Sequence, residues 1–351
     1  MSHPNSLKKK TSKIWWKGIQ KSIRWILPIF VLYFVFKQVD FARLKDNFLL
    51  TDPWLFFLGL IHAPGLVIIG AFRWYFLLSL YQKAKGSLGF IFKHYWVGLA
   101  LGFFVPASLG WDTYRVYVSG RRFGGYSLNM AIIVIEKIMA LLTCMSIIVI
   151  LYPQLSIVAS PEIQQIFFLA SVLLFAAIVC IAIVIIIMRN RVLSLALEKI
   201  DRYMAQALEK IGTKLGLNNK SSLSPTSFQA MLAPFINPKI LLIVVLSFGI
   251  QFVSAVKSQI FFCSLGYDLP FIVNLFLTPT LYFIFLLPIS FGSVGIREGL
   301  YVLLYGLFGV PAEIALIVSF FNLAGMLLNN AIGGLVIFFC NAGEQMKKST
   351  T

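Results

Sequence analysis

Arg297 and Glu298 stand side by side in LPISFGSVGIREG, residues 287–299, where Pro288, Ser290, Gly292 and Gly295 interrupt otherwise apolar sequence. A second stretch, VPASLGWDTYR at 105–115, has the same ingredients: Pro106, Ser108 and Gly110, then Asp112 and Arg115. A guanidinium offers a planar fork of donors and stays charged, so an arginine delivered into apolar surroundings suits the grip of a phosphate. Helix N-termini restarting after each Pro/Gly break would aim free N–H groups and partial positive charge at the same anion. Asp112 and Arg115 are three residues apart and share one face of one helical turn. Arg297 and Glu298, as neighbours, point in different directions on a helix, so one can face a cavity while the other is held by a partner. Glu136, within another apolar run, completes the candidate substrate-binding set. Asp112, Glu136 and Glu298 would position the two arginines or receive an amine or proton. The competing reading is that acid and base neutralise each other and tie the two halves of the chain together. For Lys137 and Lys257 a snorkelling or structural role is the expectation.

Charges buried in apolar sequence matter because of where this chain resides. With 59% hydrophobic and 12% charged residues, it reads as a polytopic membrane protein rather than a soluble domain. The formal net charge of +17 gathers between the apolar runs, which points to anionic lipid and inside-positive loops and away from nucleic acid. Cys144, Cys180, Cys263 and Cys340 have no CxxC spacing, and His3, His62 and His94 form no set, so no metal site is expected. No P-loop or GxSxG motif occurs, so ATPase and hydrolase chemistry is not expected, and no cofactor is implied. The lysine-rich N-terminus before an apolar run resembles a signal peptide, but no small-x-small cleavage site follows, and an uncleaved first span is expected.

The fold class that must position these residues is all-α. Apolar runs predict spans near 19–37, 53–73, 127–152, 164–188, 239–265 and 312–340. The regions 89–120 and 270–308 each contain a charged break and read as re-entrant hairpins, because non-helical backbone at membrane depth is tolerated only where it lines a cavity or is buried in protein. Charge bias favours this topology. It puts Arg121, Arg122 and the basic 189–238 segment on the cytoplasmic side with both termini, and Asp40, Asp46, Asp52, Glu162 and Asp268 outside. About six spans and two hairpins then form an inverted repeat with halves near 53–152 and 239–340, whose broken helices meet near the bilayer midplane. The halves are joined by 189–238, which has apolar residues at steps of three and four and is expected to lie along the inner leaflet. The whole of 1–351 is a single membrane domain in this reading, and homo-oligomerisation is compatible with it.

The two charged motifs, with the spans holding Glu136 and Ser319 to Gly334, resemble the lysylphosphatidylglycerol synthase transmembrane family of flippase-like proteins over most of the chain. The second motif is similar to that family's P-x-S-x-G-G-x-G-x-R-E-G pattern, with Ser293 in place of a glycine. The first is similar to a P-x-x-x-G-(G/E)-x-x-R pattern, with Trp111 where a small or acidic residue is usual. The resemblance implies an eight-element membrane domain that moves a lipid between leaflets: a phospholipid, an aminoacylated phospholipid or a polyprenyl phosphate. Family members that synthesise aminoacylated lipid carry a further soluble transferase, so synthesis is not expected of these 351 residues. The alternative function is an integral-membrane glycosyltransferase or an accessory protein acting on polyprenyl-phosphate-linked sugars.

Overall fold

The structure, a computed structural model, describes residues 32–81, 87–103, 109–124, 126–157, 239–285 and 295–349, with scattered helical positions between 161 and 176. Most of the first and fourth expected spans and the whole 189–238 segment lie outside the described residues. So do 104–108 and 286–294, and with them Pro106, Ser108, Pro288, Ser290 and Gly292.

Every regular element among the described residues is helical. A short helix, α1 (Phe41–Leu49), is capped by Asp40, whose carboxylate accepts from the Ala42 and Arg43 amides. Helix α2 (Pro53–Tyr81) follows. Pro53 at its first position has no N–H to leave unpaired, and the Asp52 carboxylate accepts from the Trp54 and Leu55 amides. The chain continues through α3 (Leu88–Gly102), α4 (Leu109–Phe123) and α5 (Tyr126–Leu151), and resumes with α6 (Ile240–Ser264), α7 (Phe271–Phe285), α8 (Ile296–Gly306) and α9 (Ala312–Ser349).

Four stretches are long and apolar enough to cross a bilayer: Pro53–Tyr81, Leu128–Gln154, Ile240–Ser264 and Ala312–Phe339. The chain is an all-α, multi-pass membrane protein. By contrast α3, α4 and α7 have 15 residues each and α8 has 11. At a rise of about 1.5 Å per residue, none spans a hydrocarbon core of about 30 Å. The short helices therefore come in two broken pairs, α3 with α4 and α7 with α8.

The packing exchanges partners between the two ends of the chain. Helices α2 and α6 lie side by side, α3 packs on α9, and α7 packs on α5. Phe261 of α6 seats against Gly59 of α2, where any β-carbon would collide with its ring. Trp96 of α3 lies against Gly333 of α9 just as closely. One apolar core gathers around Phe261, Phe262, Phe276 and Tyr305, and the other around Trp74, Leu77, Ile91 and Ile132.

Helix α2 runs eight residues beyond the expected span end at 73. Trp74, Leu77 and Leu78 in that extension are fully buried, and Arg73, also buried, lies within the helix and not at its end.

Candidate functional site

The first charged motif builds a closed network. Asp112 lies in the first turn of α4, and Arg115 one turn on donates to it from Nη2 at 2.7 Å. Nη1 of Arg115 donates to Glu136 of α5 at 2.8 Å, and the other Glu136 oxygen accepts from Arg73 of α2, also at 2.8 Å. Arg73 reaches on to Ser247 of α6 at 3.4 Å, and Lys137 pairs with the free oxygen of Asp112 at 3.1 Å. Arg115 is 0% and Glu136 1% exposed, so the carboxylate that bridges two guanidinium groups is sealed from solvent. Charges this deep need matching partners, and each guanidinium here meets a carboxylate across three helices, although Nε of Arg73 and Nε of Arg115 are buried without a hydrogen-bond partner.

Trp111 closes the network on one side. Its ring lies 4.3 Å from the Arg115 guanidinium carbon and 5.3 Å from the Lys137 ammonium, geometry that suits cation–π attraction. Gly98 and Gly102 of α3 make room for Trp111: β-carbons there would stand 2.7 Å from its indole and 2.8 Å from its Cβ.

The second motif is arranged differently. Gly295 precedes α8 at φ +86°, a conformation that requires glycine, and its N–H donates to Glu298 three residues on at 2.5 Å. The other Glu298 oxygen accepts from Nε and Nη2 of Arg297 at 3.2 and 2.7 Å. Adjacency suggests divergent side chains, but Glu298 folds back to cap its helix and Arg297 wraps onto the same carboxylate. Among the described residues, Nη1 of Arg297 makes no hydrogen bond.

Arg297 opens onto a cavity of about 450 Å³ between α3, α6, α7, α8 and α9, with Trp111 on its wall. Arg115 is not on that wall; it lies behind the Trp111 ring. Of the expected residues, then, Arg297 lines the cavity, Glu298 orients it, and Arg115, Asp112 and Glu136 form a separate network one tryptophan away. Gly110 lies within α4 and Gly295 starts α8.

Two cations escaped sequence reasoning. Arg73 looked like a span-end residue. Lys257, for which a snorkelling or structural role is the expectation, lines the cavity together with Gln251, Ser254 and Ser258. The signal was present: positions 247, 251, 254 and 258 put Ser, Gln, Ser and Ser on one face of an otherwise apolar helix. On α9, Asn322 and Asn330 repeat the pattern at eight residues and also line the cavity.

A profile for the lysylphosphatidylglycerol synthase transmembrane region matches residues 22–331. The chain belongs to this family. Neither a search of curated proteins nor one of solved structures gave a match. The matched region covers both broken helix pairs and the cavity between them, so the family assignment and the candidate site concern the same part of the molecule.

Proposed function

We propose that this family member is a lipid translocase in which a phosphate-bearing headgroup crosses the cytoplasmic membrane through the cavity between the broken helices, while the acyl chains remain in lipid. The carrying observation is that cavity: it brings Arg297 and Lys257 to the middle of an apolar bundle beside Leu99, Phe103, Phe285 and Met326. A polar headgroup and the first carbons of its chains match such a mixed lining. The two ends of the chain form an inverted repeat in this reading, with both termini cytoplasmic as the loop charges indicate.

No covalent step is part of the reading. The glycosyltransferase alternative would draw on the acids Asp40, Asp46 and Asp52 to activate an acceptor; Asp40 and Asp52 are engaged as helix caps, and Asp46 is not. The test is reconstitution of the full chain in vesicles with acyl-labelled lipids. Wild type should equilibrate a phospholipid between leaflets. Arg297→Ala should lose at least about tenfold in rate, since removing a charge-assisted contact costs roughly 1.5–3 kcal/mol. Equal rates for the two proteins, both folded, would sink the assignment.

A further inference from the structure

The bundle contains two pairs of cations at corresponding places in the chain order, and only one pair has its anion. In the first, Arg73 of α2 and Arg115 of α4 are bridged by Glu136 of α5. In the second, Lys257 of α6 and Arg297 of α8 line one cavity. Helix α9, which holds the place of α5 in that order, offers neutral Asn322 and Asn330 there. Arg297 has Glu298, but Lys257 makes no ion pair among the described residues. None of the described side chains lining the cavity is acidic, and the sequences 104–108 and 286–294 contain no acid either. Thr278, 9% exposed and on the cavity wall, has a hydroxyl with no hydrogen-bond partner. Among the described residues, Arg73, Arg115, Lys137, Lys257 and Arg297 stand against Asp112, Glu136 and Glu298, two positive charges in excess.

We infer that the missing bridging anion is the phosphate of a net-anionic lipid, held between Lys257 and Arg297 as Glu136 is held between Arg73 and Arg115, and that a headgroup carrying a net positive charge is rejected. The inference deepens the translocase reading and rests on it for whatever concerns transport; the anion site itself rests on the cavity. A phosphodiester or phosphate ester accepts from the free Nη1 of Arg297, from the Lys257 ammonium and from the Thr278 hydroxyl, and offsets the excess charge. An aminoacyl ester adds ammonium groups beside two existing cations and meets no lining carboxylate, an arrangement that discriminates by repulsion. Lys257 is thus a specificity-determining residue.

The purified full chain should be titrated calorimetrically with short-chain phosphatidylglycerol, with its lysyl ester and with inorganic phosphate. Phosphatidylglycerol should bind about tenfold or more tighter than the lysyl ester. Lys257→Gln should weaken that binding about tenfold, and Lys257→Arg should retain it, in line with the loss of one charge-assisted contact. Asn322→Asp supplies a carboxylate from within, so it should abolish binding and raise the thermal unfolding midpoint. Equal or tighter binding of the lysyl ester, or a folded Lys257→Gln with unchanged affinity, overturns the inference. Inorganic phosphate binding as tightly as phosphatidylglycerol overturns the lipid as the source of the anion. Binding as expected with no movement of acyl-labelled phosphatidylglycerol in vesicles overturns the translocase reading and upholds the anion site.

Discussion

Arg115 and Arg297 each sit on the helix that follows a Pro/Gly break, yet one is closed and the other open. Arg115 spends its guanidinium on two carboxylates and is covered by Trp111. Arg297 spends two nitrogens on the adjacent Glu298 and lines a cavity. The difference lies in who supplies the second carboxylate. In the first cluster it is Glu136, from a neighbouring helix; in the second, α9 presents asparagines. Similar motifs thus make a structural joint in one place and a candidate binding site in the other.

The largest effect expected from breaking this contrast is at Glu136. Glu136→Ala leaves Arg73 and Arg115 buried without a bridging anion, a loss of about 3–5 kcal/mol. Thermal unfolding in detergent should show a strong drop or failure to fold, and a small change would mean that the network is not what holds α2, α4 and α5 together. Arg115→Ala should follow with a similar kind of loss, read first in stability and only then in transport. Arg297→Ala should show the reverse order, with transport lost and the unfolding midpoint nearly kept. If both arginines behave alike, the distinction between joint and site fails.

Next comes Gly102→Ala, whose β-carbon would press on the Cβ and backbone of Trp111, a residue of the cavity wall. Overpacking of this kind costs about 1–3 kcal/mol, and the readout is slower transport together with a lower midpoint. The smallest effect belongs to Lys137→Met. Its partner Asp112 keeps Arg115, and the pair is partly exposed at 22% and 15%, so the change should be about 1 kcal/mol or less. A loss as large as that of Glu136→Ala would extend the sealed network to its rim.

Much of the architecture was legible because the bilayer imposes it. Four long apolar runs had to be helices, since unpaired backbone groups cannot face lipid. The two Pro/Gly-broken motifs announced that something other than a plain span lay between them. Asp112 and Arg115 were readable as a pair because their spacing is local. Glu298 as a cap three residues after Gly295 was equally local, but its hold on Arg297 was not foreseen.

What the sequence determined by itself, then, is the membrane environment, the helical class, the family and the short-range pairs, all fixed by hydropathy and by contacts within one turn. Only the tertiary structure decided which charges meet across helices. Arg73 and Glu136 are 63 residues apart, and their pairing follows from how α2 lies against α5. Lys257 faces the cavity because α6 packs on α2 and α7 and turns its polar stripe inward. The sign and strength of a buried charge's effect depend on its nearest partner in space. Sequence spacing cannot supply that partner once it lies on another helix.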